Sequence, residues 1–263
     1  MKLVDLKARM AEMEVRAKKA LGQNFLVSET VIARILERVQ AVNPEMIVEV
    51  GPGLGSLTEG IFERSPTLVE LDSVFAQYWR ERGLEVVEGD ALRIDWNKLP
   101  LKENSWLVSN LPYQISSSIV VDRSVGPQNI VGMILMFQKE VAQRLMAEKR
   151  TSAYGFLSVI AQNFWVMKKV VDAAPKDFHP PPKIASRVLE FRRRTVSGLD
   201  AGFVGFTKAA FAQRRKFLLK NLKAVGNKDW ASVFQEMGIN EKARAEELTP
   251  EQFAELYRRW KSK

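Results

Sequence analysis

The sequence predicts an α/β fold, in which a mostly parallel sheet carries helices on both faces, followed by a small all-helical C-terminal domain. Three observations predict it. From residue 28 to residue 148, short apolar runs alternate with amphipathic stretches, which is typical of strand–helix units. Two later apolar runs, 166–173 and 186–191, have prolines 180–182 between them and leave no room for a crossover helix. After residue 196 the apolar spacing is helical, and most of the excess positive charge lies in this part.

The individual elements follow from local patterns. Ser28 is a residue type that begins helices, so a helix is expected from there to about Gln40. Strands are predicted at 46–50, 67–71, 84–87, 106–109 and 130–137. Helices are predicted after the glycine turn within 51–64 and at 73–82, 138–148, 203–212, 216–224, 230–237 and 251–261. The two late runs are expected to pair as an antiparallel hairpin at the sheet edge.

Charge divides the chain near residue 196. The 263 residues carry a net charge of +9, and residues 187–263 contain 17 Lys and Arg against 9 Asp and Glu, a net of +8. We therefore predict one domain over 1–195 and a basic helical domain over 196–263, with TVSGLDAG (195–202) as the linker. A basic module beside a nearly neutral one favours binding of a polyanion such as nucleic acid. A solvated basic surface that aids solubility is the alternative.

Composition excludes several classes of chemistry. The chain has no Cys, which excludes disulfides, thiolate metal sites and a Cys nucleophile. His179 is the only histidine, and DFHPPPK around it matches neither a hydrolase triad nor a zinc site. No window of eighteen apolar residues occurs, and residues 1–20 lack the apolar stretch of a signal peptide. We therefore expect a cytoplasmic protein.

The residues that follow the predicted strands indicate a ligand site, because ligands bind beyond the carboxyl ends of strands in an open parallel sheet. EVGPGLGSL (49–57) follows the first strand, and its Gly51, Gly53 and Gly55 permit a tight turn and close approach of a ligand. The spacing departs from the dinucleotide fingerprint and from the P-loop. Taken alone, it is also typical of an ordinary glycine turn.

The next three strands end in polar residues. Glu70 lies 19 residues beyond Gly51, where a carboxylate can accept hydrogen bonds from ribose hydroxyls; a helix N-cap is the alternative, which Asp72 fits better. Asp90 in EGDAL can accept from the exocyclic amino group of an adenine, although such an Asp is also common in turns. NLPY (110–113) then places an amide, a proline and an aromatic ring together, which turn chemistry alone does not require.

With these motifs, the sequence resembles the ribosomal RNA adenine N6-dimethyltransferases, and among them the bacterial enzymes of the small subunit. The resemblance extends from about residue 18 to the C-terminus. It rests on GQNFL (22–26), EVGPGLGSLT (49–58), VELD (69–72), GDA (89–91), NLPY (110–113), QKEVAQRL (138–145), FHPPPKIASRV (178–188) and FAQRRKFL (211–218). It implies a Rossmann-like class I methyltransferase fold with a seven-stranded sheet whose last strand is antiparallel.

The resemblance also implies a cofactor, a reaction and site residues. The cofactor is S-adenosylmethionine, and the reaction is dimethylation at N6 of two adjacent adenosines in the 3′-terminal hairpin loop of 16S rRNA, late in small-subunit biogenesis. The implied cofactor-binding residues are Asn24, Leu26, Gly51, Gly53, Gly55, Glu70, Asp90, Ala91 and Asn110. The implied catalytic residues are Asn110, Leu111, Pro112, Tyr113 and Phe178, the last as a second aromatic wall beside the target base. No metal is implied.

Basic residues are the expected RNA contacts. The candidates are Arg192, Arg193, Arg194, Arg214, Arg215 and Lys216, and Lys18 and Lys19 could add to them. The expected partner is 16S rRNA within the small ribosomal subunit, without DNA or membrane, and the protein is expected to be a monomer. Serines 116–118 either leave room for a base that already carries one methyl group or form an N-cap series for the next helix.

Two alternatives stay open at this point. One is a 23S rRNA adenine methyltransferase of the macrolide-resistance type, although NLPY, the triple proline and QRRK favour the small-subunit enzyme. The other is a mainly non-catalytic ribosome-assembly factor on the same fold, against which the intact NLPY argues.

Overall fold

The computed structural model describes residues 2–17, 22–226 and 228–262. Within these ranges the chain forms two compact units. The sheet unit comprises the described residues up to Ala142 together with Met167–Arg193, and the helical unit comprises Gln143–Val166 together with the described residues from Arg194 onward. No helix in the described ranges is long and apolar enough to cross a membrane.

Seven strands form one sheet, as the sequence predicts. The strands of the described residues are β1 (Phe25–Leu26), β2 (Met46–Val50), β3 (Thr67–Glu70), β4 (Val86–Glu88), β5 (Ser105–Ser109), β6 (Ile130–Gln138), β7 (Trp165–Ala173), β8 (Phe178–His179) and β9 (Ser186–Arg193). The order in the sheet is β4-β3-β2-β5-β6-β9-β7, and β1 pairs separately with β8. Neighbours from β4 to β6 are parallel, whereas β9 is antiparallel to β6. The mostly parallel α/β fold is therefore confirmed.

The helices include three for which the sequence analysis gives no range. Those of the described residues are α1 (Leu3–Glu12), α2 (Glu29–Val42), α3 (Thr58–Ile61), α4 (Ser73–Glu81), α5 (Tyr113–Val125), α6 (Lys139–Leu145), α7 (Phe156–Phe164), α8 (Ala201–Ala210), α9 (Leu218–Leu222), α10 (Trp230–Glu236) and α11 (Pro250–Lys261). The three without a predicted range are α1, α5 and α7. In α7 nearly every residue is buried, and a short apolar run of this kind fits a buried strand as well as a buried helix.

The central strands explain the apolar runs of the sequence. All five residues of β2 and all five of β5 are buried, as expected for strands of a parallel sheet that is covered on both faces. Side chains from α2, β2, β5 and β6 share one core cluster, including Ile35, Ile47, Val108 and Ile134. Because this core fixes both ends of the central strands, the loops at their carboxyl ends start from defined positions.

Aromatic packing assembles the helical unit. The ring centroids of Phe164 and Phe203 lie 6.1 Å apart, and those of Phe203 and Tyr257 lie 5.4 Å apart, so α7, α8 and α11 share one cluster. The side chain of Asn163 also donates to the carbonyl of Pro250 at 2.9 Å. These contacts group residues 143–166 with the C-terminal helices. Neither the charge nor the composition of the sequence indicates this grouping. The domain limits 1–195 and 196–263 remain a prediction.

Candidate active site

A cavity of about 280 Å³ lies at the carboxyl ends of β2, β3, β4 and β5. Its walls come from residues 22–25, 49–53, 56–57, 69–71, 89–91 and 110–115. Most of the predicted cofactor and catalytic residues line it: Asn24, Gly51, Gly53, Glu70, Asp90, Ala91, Asn110, Leu111, Pro112 and Tyr113. Because the carboxyl ends of parallel strands lie at the same edge of the sheet, four loops that are far apart in the sequence meet at this cavity.

The glycine loop approaches the cavity with backbone that only glycine adopts easily. Gly51 and Gly53 have φ values of 66° and 51°, in the left-handed region. The amide of Gly53 donates to Oε2 of Glu70 at 3.1 Å, and its carbonyl accepts from Nε1 of Trp79 at 2.9 Å. A Cβ at residue 53 would lie 2.9 Å from the Phe25 ring. The loop is therefore held on both sides, with its backbone exposed to the cavity.

Gly55, the third predicted glycine, has a different surrounding. It is not part of the cavity wall. Its φ is 89°, and a Cβ there would lie 2.5 Å from Cζ2 of Trp79. The structure therefore gives Gly55 a packing role beneath the loop, because a larger residue would displace the Trp79 ring.

Glu70 ends β3 and is 5% exposed. Its carboxylate accepts from the amides of Gly53 and Asp72. Burial raises the pKa of Glu70, and these backbone hydrogen bonds oppose the shift. The N-cap role belongs to Asp72, whose side chain accepts from the amide of Val74 in the first turn of α4, so Glu70 is left to face the cavity.

Asp90 and Ala91 form the wall that follows β4. Oδ1 of Asp90 accepts from the amide of Leu92 at 2.9 Å, which is the turn contact that the alternative interpretation requires. Ala91 is buried, and its carbonyl accepts from Nε1 of Trp96. Both residues nevertheless line the cavity, so the turn contact and a ligand role are compatible.

The NLPY segment is fixed by contacts to two other loops. Nδ2 of Asn110 donates to the carbonyl of Asn24 at 3.1 Å, which leaves Oδ1 as the acceptor of that side chain. The hydroxyl of Ser109 donates to the carbonyl of Val50, joining the ends of β5 and β2. Pro112, with φ −54° and ψ 129°, then precedes α5. These contacts hold an amide oxygen and an extended peptide at the cavity edge.

Tyr113 is the first residue of α5 and is half-buried. Its hydroxyl lies 2.7 Å from Oγ of Ser186. Burial raises the pKa of Tyr113, and the hydrogen bond with Ser186 opposes the shift. The phenol is thus neutral at physiological pH, and its ring is available as an apolar surface in the cavity wall.

Glu49 is a site residue that sequence reasoning missed. It lines the cavity, is 2% exposed, and its Oε2 has no hydrogen-bond partner among the described residues. Burial raises its pKa to about 8, and the nearby charge of Glu70 adds to the rise. The signal in the sequence was a single acid within the buried run MIVEV of β2, because a buried carboxyl group needs a partner or a function.

The donor set of the cavity fits S-adenosylmethionine. The walls carry the carboxyl groups of Glu49, Glu70 and Asp90, and none of the described residues that form them is Lys, Arg or His. An acidic cavity without cations matches a ligand that carries a sulfonium and an ammonium group. Two glycines with positive φ also let the ligand approach the backbone closely.

Leu26 and Phe178 do not lie where the resemblance implies. They are directly paired in the β1–β8 ladder, are 0% and 3% exposed, and belong to the core cluster with α2 and β2. Neither is part of the cavity wall. Their role here is to seal the core, and the expectation that Phe178 forms a second aromatic wall does not fit this position.

Serines 116–118 also lie outside the cavity wall. Ser116 is fully buried, and its hydroxyl donates to the carbonyl of Tyr113 at 3.0 Å. Because α5 begins at Tyr113 with Pro112 as its N-cap, Ser116 lies inside the helix, and the N-cap interpretation of these serines is wrong.

The arginine cluster 192–194 is not a uniform cationic patch. The guanidinium group of Arg193 donates to the carbonyls of Arg123, Ser124, Ile130 and, at the longer distance of 3.4 Å, Pro127. Burial lowers the pKa of Arg193 to about 10. The expectation that Arg193 contacts RNA phosphates does not fit, because these carbonyls occupy its donors. Arg192 is exposed but pairs with Glu190 at 2.7 Å.

The remaining cationic candidates belong to the helical unit. Arg194 is exposed, and its Nε donates to the carbonyl of Trp165. In the exposed turn between α8 and α9, Arg214 donates to the carbonyl of Tyr154 at 2.9 Å, and Arg215 and Lys216 are exposed beside it. Lys18 and Lys19 lie outside the described residues. The described residues contain no group of three or more His, Cys, Asp or Glu arranged to hold a metal ion.

Comparisons with known proteins agree with this geometry. The family model for "Ribosomal RNA adenine dimethylase" matches residues 14–262. A ribosomal RNA small subunit methyltransferase A from Bdellovibrio bacteriovorus is 52% identical over 256 residues, covering 94% of this chain and 93% of the relative. A dimethyladenosine transferase from Plasmodium falciparum has the same fold, with a TM-score of 0.74 at 23% identity over 88% of this chain and 95% of that one. The 23S rRNA methyltransferase ErmE gives a TM-score of 0.63 at 27% identity, covering 90% and 99%.

The family model spans almost the whole described chain, and the half-identical relative covers the same extent. The seven-stranded sheet and the acidic cavity at its carboxyl edge are what such proteins need to bind their cofactor. The chain therefore belongs to the ribosomal RNA adenine dimethylase family, whose members are S-adenosylmethionine-dependent methyltransferases.

Proposed function

We propose that the protein transfers methyl groups from S-adenosylmethionine to N6 of two adjacent adenosines in the 3′-terminal hairpin loop of 16S rRNA, dimethylating both late in small-subunit biogenesis. The observation that carries the proposal is the fixed orientation of Asn110, whose Nδ2 is held by the Asn24 carbonyl at the cavity edge. Within this proposal the protein acts as a monomer in the cytoplasm, on RNA and not on DNA or a membrane.

Asn110 and Leu111 activate the target nitrogen. Adenine N6 is a poor nucleophile, because its lone pair is delocalised into the ring. Oδ1 of Asn110 and the backbone carbonyl of Leu111 each accept one N6–H, which directs the lone pair out of the ring plane toward the methyl donor. Pro112 fixes its own φ and biases Leu111 away from helical angles. Each transfer leaves a cationic N6, which is acidic enough to lose one proton to water. Catalysis thus depends on alignment and preorganised dipoles, without a dedicated general base.

Tyr113 holds the base. The target adenine has to leave its stack before the amino group can enter the cavity, and a single-stranded loop offers such a base at low cost. Stacking on an aromatic ring is worth about 1–3 kcal/mol per base. The half-buried ring of Tyr113 lines the cavity wall, which supports this role.

The cofactor is held by the loops beyond β2, β3 and β4. When bound, it supplies an electrophilic methyl group on a positively charged sulfur. Gly51 and Gly53 admit it against their backbone, Glu70 accepts from its ribose hydroxyls and Asp90 from its adenine amino group. The acidic residues of the cavity wall favour its positive charge, and that charge in turn favours the ionised form of Glu49, which is protonated at neutral pH in the protein without cofactor.

The choice of substrate rests on the relative named as a small-subunit methyltransferase, at 52% identity. The alternative, 23S rRNA, has support from a structural likeness to ErmE at 27% identity. Incubation of isolated 30S and 50S subunits with labelled S-adenosylmethionine separates them. We expect label in 30S, at two adjacent adenosines; label in 50S alone contradicts the proposal.

A variant of Asn110 tests catalysis against a purely assembly-related role. In Asn110→Ala, we expect kcat to fall by about 100-fold or more, the range found when one preorganised polar group is removed from a transition state, while RNA affinity is retained. Asn97→Ala, at an exposed position outside the cavity wall, is the control. Near-normal turnover of the Asn110 variant would refute the role that we assign to this residue.

A further inference from the structure

Ser186 makes a contact that the proposed reaction does not yet use. It is the first residue of β9, is 0% exposed, and faces Gln138 across the ladder with β6. Its Oγ lies 2.7 Å from the hydroxyl oxygen of Tyr113, 73 residues away in the sequence. Ser186 is not part of the cavity wall. It therefore reaches the site only through the Tyr113 ring.

The position of Ser186 is rigid because the sheet fixes it. β9 runs antiparallel to β6, so it begins at the edge of the sheet where the parallel strands end and the cavity lies. The carbonyl of Ala185 accepts from the amide of Lys139 at 2.9 Å, which extends the ladder beyond Ser186. A hydroxyl group on such a ladder has little freedom, and it is a suitable anchor for a neighbouring side chain.

Tyr113 is held at its other end by its own helix. The hydroxyl of Ser116 donates to the Tyr113 carbonyl, so backbone and phenol oxygen are both tethered. A tyrosine ring with a free hydroxyl can change its χ1 rotamer and rotate about a broad χ2 well. The hydroxyl oxygen lies on the χ2 axis, so its hydrogen bond leaves χ2 free but holds χ1 in one rotamer. The position of the ring is therefore set before a base arrives.

We infer that Ser186 is a positioning residue for methyl transfer, which holds the χ1 rotamer of Tyr113 and so fixes the position of the ring on which the target adenine stacks. The inference rests on the stacking role proposed for Tyr113. A base that stacks on a ring held in one position presents N6 at a fixed distance from the Asn110 and Leu111 oxygens, whereas a ring that changes its χ1 rotamer spreads that distance. Small losses of alignment of this kind lower the rate of the chemical step.

A double-mutant cycle tests the inference. Ser186→Ala and Tyr113→Phe each remove one partner of the hydrogen bond. We expect each variant to lower the single-turnover rate on 30S subunits by about 5- to 10-fold, the range for loss of one hydrogen bond. The double variant should be no slower than either single variant. KM for S-adenosylmethionine should be unchanged, because neither substitution alters a group that holds the cofactor.

Ser105→Ala is the matched control. Ser105 is also fully buried and also begins a strand, β5, but it lies at the opposite edge of the sheet and bonds to Lys102. It should lower stability without changing the rate, which separates positioning from general loosening of the fold. Additive effects in the cycle, or a Ser186 variant with the wild-type rate, overturn the inference.

A third variant distinguishes failure of the inference from failure of the stacking role. Tyr113→Ala removes the ring itself, and we expect it to be slower than Tyr113→Phe. A Tyr113→Ala variant with full rate overturns both the stacking role and the inference. If Tyr113→Ala is slow but Ser186→Ala is fully active, the stacking role stands and only the positioning by Ser186 is overturned.

Discussion

At the scale of single residues, the buried carboxyl group of Glu49 makes stability depend on pH. Its pKa in the folded protein is about 8 because of burial, against an ordinary value of 4.5. Between these two values the unfolded chain has released the proton that the folded protein still holds. Stability is therefore greatest below about pH 4.5 as far as this group is concerned, and it is lost as the pH rises toward 8.

Glu49→Gln replaces the carboxyl group with an amide of nearly the same shape. Since the amide does not titrate, the variant lacks this pH dependence. Between pH 5 and pH 8, we expect the wild type to lose on the order of 3 kcal/mol of unfolding free energy relative to the variant. Urea unfolding of both proteins without cofactor, at pH 5, 6.5 and 8, measures it. If the difference in unfolding free energy between the two proteins is the same at all three pH values, Glu49 is ionised in the folded protein.

Glycine substitutions at two positions separate backbone strain from packing. Gly55 and Gly83 have nearly the same φ, 89° and 87°, but a Cβ at Gly55 meets Trp79 whereas one at Gly83 meets nothing within 4 Å. We expect Gly83→Ala to cost about 1 kcal/mol from strain alone, and Gly55→Ala to cost about 1–3 kcal/mol more from overpacking. Equal losses in urea unfolding would show that the Trp79 ring moves aside freely.

At the scale of elements, helix α1 supports the glycine loop. Leu6 of α1 is fully buried in a cluster with Phe25, Leu54 and Phe75. One turn further along, Nη1 of Arg9 donates to the carbonyl of Leu54 at 2.7 Å. Since Leu54 follows Gly53 directly, α1 holds the loop from the side away from the cavity.

Arg9→Met tests this support. It keeps much of the side-chain volume but removes the hydrogen bond to Leu54 and the ion pair with Glu59. We expect KM for S-adenosylmethionine to rise several-fold, because the loop no longer holds a binding conformation, with little change in KM for RNA. Arg34→Met, on the exposed face of α2, is the control. A loss confined to KM for RNA would place the role of Arg9 elsewhere.

At the scale of the whole molecule, charge is segregated along the chain. The net charge of residues 187–263 is +8 of a total of +9. The structure reduces the number of basic residues in this region that are free to contact RNA. Arg193 is occupied by backbone carbonyls and Arg214 is tied to Tyr154, whereas Arg215 and Lys216 are exposed in the turn between α8 and α9.

Arg215→Gln combined with Lys216→Gln tests their contribution. We expect weaker binding to 16S rRNA fragments or 30S subunits, and a plot of log affinity against log salt whose slope falls by about 1 for each phosphate that the variant no longer neutralises. The control, Arg34→Gln with Arg80→Gln, removes the same charge from α2 and α4. An unchanged salt slope in the first variant would place the RNA surface elsewhere.

The sequence alone determined the α/β class, the position of most strands to within two residues and the four loops that form the cavity. It could do so because strands and glycine turns are recognised from neighbouring residues in the sequence. Since ligands bind beyond the carboxyl ends of parallel strands, the residues that follow each strand then indicate the site. The helix α7 escaped prediction because a short apolar run that is buried along nearly its whole length fits a strand as well as a helix.

Only the tertiary structure decided which side chains are partners. In the structure, Phe178 and Leu26 pair within the core, and backbone carbonyls accept the hydrogen bonds of Arg193. Glu49 is buried with no partner for its Oε2, and Ser186 contacts Tyr113. The reason is physical: these outcomes depend on contacts between residues tens of positions apart, whose distance is set by strand order and register. Local spacing in a sequence carries no information about either.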